Sequence, residues 1–384
     1  MKKILFIALG ALLATSSCTS EVNDEGFIDK ANAISFNAYP NKSRAVTGDV
    51  TSDNMKNDNF GVVGYTHNDN KIYLYTGSYA AVKQTWDGNS WEYANMGDLK
   101  FWPKNAMDFY AYFPFTDNAT FTATNTSGNV MTIPNVDCTH DVLFAYVGNQ
   151  SKIGRVPLNF HHAFAKMKSL QIVMPAEGML YKSGCQIEVK GVEFINTSTS
   201  GTINVDNDGV ASYTIASPNV TLKKTLDSPV TVKNDSENYA KLLINNGTSA
   251  NGYFFATNST KVNDVKGTRK AMWDGTKAAL NSSKLSKKSF VCLKLTCKVW
   301  NGTSHYYVGS ATAGNYGEIF IPLTGSSSEP NSVTTFDAGK RYIYKIVMKD
   351  NVGYTDEGDP ILTPILFTVN SVVGWDDVEV TITL

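Results

Sequence analysis

Little of this 384-residue sequence is charged, and the charges that are present cancel. Lys and Arg number 34 against 35 Asp and Glu, and charged residues make up only 18% of the chain. A nearly neutral chain has no strong field to attract nucleic acid or an anionic membrane surface. Because 42% of the residues are hydrophobic, the composition also excludes a disordered acidic or basic protein.

Patterns typical of catalysis and metal binding are also lacking. The sequence contains no Gly-x-Ser-x-Gly elbow, His-Glu-x-x-His pair, P-loop or dinucleotide-binding glycine fingerprint. Cys138 and His140 do not have metal-site spacing relative to His161 and His162, which would face opposite ways on a strand. The turn 206–209 lacks the distal glutamate of a calcium loop, so a hairpin turn is favoured. We expect no enzymatic activity, no cofactor and no metal.

The five cysteines fall into two groups. Cys18 follows a positive start and a short apolar run, then small residues, which is typical of a lipoprotein signal peptide cut before the cysteine. The sequence therefore predicts a signal at residues 1–17 and acyl chains on Cys18, which would anchor the protein to a membrane. The pairing state of the others is left open: Cys138, Cys185, Cys292 and Cys297.

Alternating apolar and polar residues dominate the rest of the chain. The segment 33–38 places Ile34, Phe36 and Ala38 on one face of a short first strand. The segment 107–113 is apolar on both faces, which is typical of an inner strand. Further strands are predicted at 60–65, 71–75, 85–86, 91–93, 164–174, 185–194, 290–300, 305–309, 341–348, 361–373 and from 375 onward, with a small hairpin at 201–210. A weak helical pattern covers 271–285.

This pattern predicts an all-β protein made of two antiparallel β-sandwich domains with Greek-key connections. We place an N-terminal domain at 45–156 and a C-terminal domain at 157–384, with a boundary uncertain by about 20 residues. Residues 18–44 form an acidic tether and the first strand. The aromatic cluster of Trp86, Trp91, Tyr93 and Trp102 is favoured as packing at the end of the first domain, with glycan contact at Trp86 and Trp91 as the alternative.

Several segments resemble, in order, those of fimbrillin-like proteins of the Bacteroides group, of the Mfa-like and FimA type. They are Ile34-Ser-Phe36, Ser43-Arg44-Ala45, Phe60-Gly-Val-Val-Gly-Tyr65, Phe101-Trp102-Pro103, Asp108-Phe-Tyr-Ala-Tyr-Phe-Pro114, Phe160-His-His-Ala-Phe-Ala-Lys-Met167 and Tyr342-x-Tyr344-x-Ile346. The resemblance implies transthyretin-like sandwich topology. It also implies a lipid-anchored protein of the outer membrane and cell surface that enters a fimbrium as a stalk, tip or anchor subunit and serves adhesion.

In that family an arginine-specific protease removes the first strand, and subunits then join by strand exchange. The resemblance places the cut between Arg44 and Ala45. The expected partners are other pilus subunits and a surface ligand, without nucleic acid. Alternating Val378, Val380, Ile382 and Leu384 form a candidate donor strand, although the same segment could instead complete its own domain. The alternative function is a non-polymerising surface lipoprotein that binds glycans.

Overall fold

The structure is a computed structural model that describes residues 32–40, 50–151, 154–175, 177–178, 180, 184–197, 200–216, 220–232, 240–242, 253–255, 292–301, 305–323, 336–348, 366–373 and 377–383. Strands dominate these residues, and short 3-10 turns lie at Asn54–Asn57 and Met96–Asp98. The strands of the first part are β1 Ser35–Pro40, β2 Phe60–Thr66, β3 Ile72–Leu74, β4 Val82–Trp86, β5 Trp91–Tyr93, β6 Met107–Phe113, β7 Thr120–Phe121, β8 Asn129–Asp137, β9 Leu143–Gln150, β10 Arg155–His162, β11 Phe164–Val173, β12 Cys185–Thr197, β13 Ser200–Asp206 and β14 Ala211–Ile215. Those that follow are β15 Val220–Val232, β16 Ala240–Leu242, β17 Tyr253–Phe255, β18 Cys292–Asn301, β19 His305–Val308, β20 Gly317–Pro322, β21 Arg341–Val347, β22 Leu366–Val373 and β23 Asp377–Thr383. The all-β prediction is confirmed.

The first sheet has eight strands in the order β1–β10–β9–β6–β2–β4–β5, with β3 paired to β2. The sheet curls until its two terminal strands meet, since Tyr93 Oη of β5 donates a hydrogen bond to the Ile34 carbonyl oxygen 2.8 Å away, just before β1. A sheet whose ends meet encloses its own apolar side chains. This enclosed core includes Ile34, Phe36, Phe60, Val62, Trp91, Tyr93, Phe109, Leu143, Val156, Leu158 and Phe160.

The opposite face of this sheet packs on a four-stranded sheet of order β14–β13–β8–β7. Strand β6 shows why both faces must be apolar. Phe109 and Ala111 lie in the enclosed core, whereas Tyr110 and Tyr112 lie in the second cluster with Ile203 of β13. The prediction of an inner strand at 107–113 is therefore confirmed.

Two further sheets share a third apolar cluster. One has six strands, in the order β16–β11–β21–β23–β22 with β17 on β11, and the other five, in the order β15–β12–β18–β19 with β20 on β18. The cluster draws side chains from both sheets, among them Leu170, Ile187, Phe194, Leu295, Ile319, Tyr344 and Ile346. Two sheets that bury one core between them pack as layers. The Greek-key topology stays a prediction.

The pairing departs from the sequence prediction in two respects. Among the described strands, β1–β10, β11–β21 and β21–β23 are parallel, whereas only antiparallel pairs were expected. Residue 156 lies inside β10, which pairs with β1 and β9, and the later hairpin β13–β14 pairs with β8 of the first part. Sheet membership thus does not follow a single cut at 156, and the domain division stays a prediction.

The weak helical pattern at 271–285 lies outside the described residues. Among those that are described, no helix has the length and hydropathy of a membrane span.

Candidate functional site

The first strand occupies one edge of the eight-stranded sheet and pairs along its whole length with β10. The register runs in parallel from Ser35 opposite Arg155 to Pro40 opposite Phe160. The sequence of β10 explains why an apolar strand packs beside it. Its residues Val156, Leu158 and Phe160 are fully buried and alternate with more exposed residues. The segment predicted as the first strand at 33–38 overlaps β1, Ser35–Pro40, and its neighbour in the sheet is β10.

Two apolar side chains fix this segment in the enclosed core. Ile34 and Phe36 are both 0% exposed, and Ala38 packs half-buried against the same core. The Phe36 ring meets Phe109 edge-on, with centroids 5.4 Å apart, and Phe60 at 6.4 Å. Full burial of side chains of this size contributes about 1.5–3 kcal/mol each.

At the start of this segment, three backbone groups hydrogen bond to groups outside the β1–β10 ladder. The Ile34 amide donates to the Lys100 carbonyl oxygen at 2.9 Å, and Tyr93 Oη donates to the Ile34 carbonyl oxygen. Arg155 Nη1 donates to the Phe36 carbonyl oxygen at 3.2 Å. Burial raises the pKa of Tyr93, so its hydroxyl keeps its proton and stays a donor at physiological pH.

Arg155 also contacts β5, across the seam at which the two terminal strands of the sheet meet. Its Nη1 donates to the Trp91 carbonyl oxygen at 2.9 Å, and its Nη2 lies 2.8 Å from Glu92 Oε1. The same Glu92 oxygen accepts a hydrogen bond from Ser90 Oγ at 2.8 Å. We call Tyr93 and Arg155 the seam clamp. Sequence reasoning missed this role, because Tyr93 was assigned only to the aromatic packing cluster, Arg155 belongs to no motif, and the strand pairing alone brings the two together.

The expected cleavage site, Arg44 and Ala45, lies outside the described residues, in the segment that joins β1 to Val50. Beyond this segment, the chain is held at Val50 by a buried hydrogen bond. The Val50 amide donates to Asp141 Oδ2 at 3.2 Å, and His162 Nδ1 lies 2.7 Å from the same oxygen. Asp141 and His162 are each 3% exposed. Cys18 also lies outside the described residues.

The candidate donor strand is placed as β23, between β21 and β22 of the six-stranded sheet. Val378 pairs with Tyr342, Val380 with Tyr344 and Ile382 with Ile346, all in parallel. The described backbone thus has this segment in its own sheet, which is the second of the two readings left open by the sequence. Leu384 lies outside the described residues.

The two candidate glycan contacts differ in their surroundings. Trp91 is 3% exposed and meets Phe60 and Trp86 edge-on, with centroids 4.9 and 5.6 Å away, so its burial contradicts a role as an exposed stacking surface. Trp86 is half-buried, and Lys56 Nζ lies over its ring, 5.0 Å from the centroid. The packing role favoured by the sequence fits both residues better.

The remaining polar features are structural. Asp206 Oδ1 accepts from the amides of Asp208 and Val210, which closes the hairpin turn between β13 and β14. Cys138, Cys185 and Cys297 are buried free thiols, and burial raises the pKa of Cys185 to about 11. Within the described part of the chain, no three His, Cys, Asp or Glu side chains form a group able to hold a metal ion.

The chain is similar to several proteins of known structure. A fimbrial protein from Bacteroides vulgatus is 17% identical, with 91% of this chain and 97% of that chain covered and a TM-score of 0.47. A candidate cell adhesion protein from Bacteroides uniformis is 14% identical, with 92% and 98% covered and a TM-score of 0.39. No curated protein matches.

A family model described as fimbrillin-like matches residues 43–359, which is most of the sequence. Membership of this family supports a fimbrial or adhesin role and a location at the cell surface, and it favours a structural function over an enzymatic one. It also implies contact with other pilus subunits or with surfaces. The chain belongs to the fimbrillin-like family.

Proposed function

We propose that this protein is a fimbrial subunit whose first strand is removed and replaced by a strand from another subunit. The observation that carries the proposal is the position of β1. It lies at a sheet edge, it has a ladder partner on one side only among the described strands, and a single cut between Pro40 and Val50 would separate it from all other strands.

Loss of this strand would create a site that needs refilling. The side chains of Phe60, Phe109 and Phe160 would lose their apolar cover, and the inner edge of β10 would lose its ladder partner. Exposed apolar surface beside an unpaired strand edge favours the addition of an extended segment from another chain. The burial that β1 provides is therefore available to an incoming strand.

Processing completes the proposal. Acyl chains on Cys18 anchor the precursor to the outer membrane, and cleavage between Arg44 and Ala45 releases both the anchor and β1. The donor is the C-terminal strand with Val378, Val380, Ile382 and Leu384, whose alternation matches that of Ile34, Phe36 and Ala38. Assembly in this way places the subunit in a fimbrium that serves adhesion.

The test is cleavage of the lipidated full chain by an arginine-specific protease. We expect the new N-terminus to be Ala45, identified by N-terminal sequencing, and the product to form oligomers that survive denaturing electrophoresis without boiling. Arg44→Ala should block both results. Lys42→Ala is the matched control, since it removes a basic residue from the same segment and should change neither.

A cleaved product that stays monomeric at high concentration would contradict assembly by strand exchange. A separate variant tests the anchor. Cys18→Ser should move the precursor from the membrane fraction to the soluble fraction, and unchanged membrane retention would contradict lipidation at this residue.

A further inference from the structure

We propose that the seam clamp of Tyr93 and Arg155 retains whichever strand fills the β1 position through that strand's backbone, independently of its sequence. The incoming strand is the segment 378–384 of a second copy of this chain. The inference rests on the proposed function and adds two separate roles to it. The clamp binds the backbone of the strand, whereas the apolar pocket that holds the Phe36 ring determines which side chains fit.

The contacts of the clamp support the first part. Tyr93 Oη and Arg155 Nη1 reach the carbonyl oxygens of Ile34 and Phe36, not their side chains. Every residue offers such a carbonyl, and alternate residues of a strand present theirs to the same edge. Any extended segment in this position therefore meets the same two donors.

We expect the Arg155 part of the clamp to persist when the position is empty. Arg155 keeps its hydrogen bonds to the Trp91 carbonyl oxygen and to Glu92 after β1 leaves, because both acceptors lie on β5. Glu92 is itself oriented by Ser90. A donor that is already held in place loses little freedom on binding, so the site is preorganised for its next occupant.

The pocket around Phe36 determines which strand sequence binds more tightly. Phe60 and Phe109 meet this ring edge-on, and the ring is fully buried. The segment 378–384 repeats the two-residue spacing of Ile34, Phe36 and Ala38, but it offers only Val, Ile or Leu at the position of the ring. The pocket therefore favours β1 over the incoming strand, whereas the clamp favours neither.

The first measurement uses the intact full chain, so its result does not depend on cleavage or assembly. Hydrogen exchange of the backbone amides of β1, followed by mass spectrometry, reports how often this strand opens. Arg155→Met and Tyr93→Phe should each speed this exchange, by about tenfold for the loss of the charged donor. The matched controls are Lys294→Met, which removes a cation held by Glu193 and Glu318, and Tyr65→Phe, which removes a buried hydroxyl bonded to the Thr122 carbonyl oxygen. Both should leave β1 unchanged.

The second measurement follows the release of two labelled peptides, copies of residues 33–40 and 377–384, from a full chain cut at a site-specific protease sequence placed within 41–49. Each clamp variant should speed the release of both peptides by the same factor. Phe36→Val in the first peptide should speed only the release of that peptide.

Unequal factors for the two peptides, or no change in either measurement, would overturn the sequence-independent clamp. If the cut chain binds neither peptide, strand exchange fails as a function, and with it the incoming strand proposed here. The hydrogen-exchange result then still decides whether the clamp retains β1.

Discussion

The first and last described strands of this chain are held in different ways. Among the described strands, β1 has a ladder partner on one side only, and on its other side the backbone of Ile34 and Phe36 bonds to the seam clamp and to the Lys100 carbonyl oxygen. Strand β23 has a ladder partner on each side, parallel β21 and antiparallel β22. Removal of β1 therefore breaks one ladder, whereas removal of β23 breaks two.

This difference bears on the direction of the strand exchange proposed above, in which the β1 position is the acceptor end and β23 is the donor end. The acceptor end gives up its strand at a lower cost, and refilling it regains the burial in the enclosed core. The donor end opposes the exchange if β23 must first leave its own sheet. Exchange is then favoured when the donor strand is captured before it joins β21 and β22.

The largest effect is expected from truncation at the two ends. Deletion of residues 377–384 should unfold the six-stranded sheet, because β21 and β22 are joined through β23. Deletion of residues 1–40 should leave a folded chain with an open groove. Near-ultraviolet circular dichroism and urea unfolding distinguish the two, and a cooperative transition in the first variant but not in the second would reverse the comparison.

A smaller effect is expected from Phe36→Ala, which empties the pocket but keeps the ladder. Removal of a fully buried Phe costs about 3–5 kcal/mol in the free energy of unfolding. Tyr39→Ala on the same strand is the control, because Tyr39 is 48% exposed and should change stability by about 0.5 kcal/mol or less. Equal losses in the two variants, measured by urea unfolding, would contradict the one-sided packing of β1.

The buried contacts of Asp141, which hold the chain just after residues 41–49, should contribute less to the free energy of unfolding. Asp141→Asn weakens the buried contacts of Val50 and His162, and we expect a loss of about 1–3 kcal/mol. Asp117→Asn, at an exposed carboxylate, should be nearly neutral. Hydrogen exchange of β1 should stay unchanged in both, since Asp141 bonds the chain after the segment and not β1 itself. Faster opening of β1 in Asp141→Asn would show that the two ends of the segment are coupled.

The smallest expected effect is a gain in stability, at the buried Gln84. Gln84 of β4 is 0% exposed, and neither its Nε2 nor its Oε1 has a hydrogen-bond partner among the described residues. Gln84→Met removes two unsatisfied polar atoms at similar volume, so the free energy of unfolding should rise by about 1 kcal/mol. Thr85→Val, at the half-buried neighbour, is the control. A loss of stability in Gln84→Met would show that the amide has a role in this sheet.

Local patterns predicted local structure well. The limits of β6 follow from its largely apolar run, and the opposite packing of Phe109 and Tyr110 follows from the two-residue period of a strand. Strand β10 was missed although it alternates, because the predicted domain boundary was placed within this segment. Pro157 fits there since β10 pairs with β9 only at His161 and His162, which leaves the rest of that edge without a ladder.

The sequence predicted only the part of the candidate site that depends on a local pattern. Ile34 and Phe36 were found because they alternate along one short segment. The roles of Arg155 and Tyr93 were not found, because these residues contact the segment around β1 from positions distant in sequence. Residue spacing does not predict a parallel strand pair or a sheet whose two ends meet. Trp91 showed the converse, since an aromatic cluster in sequence does not reveal which ring is buried.

The meeting of the two ends of the eight-stranded sheet has a consequence for valency. An open sheet edge can add strand after strand, as fibrous aggregates do. Here Tyr93 and Arg155 stand where a second added strand would have to pair, so the gap between β10 and β5 is one strand wide. If subunits join by the proposed strand exchange, each accepts one neighbour at this position, and a linear polymer of fixed stoichiometry is expected.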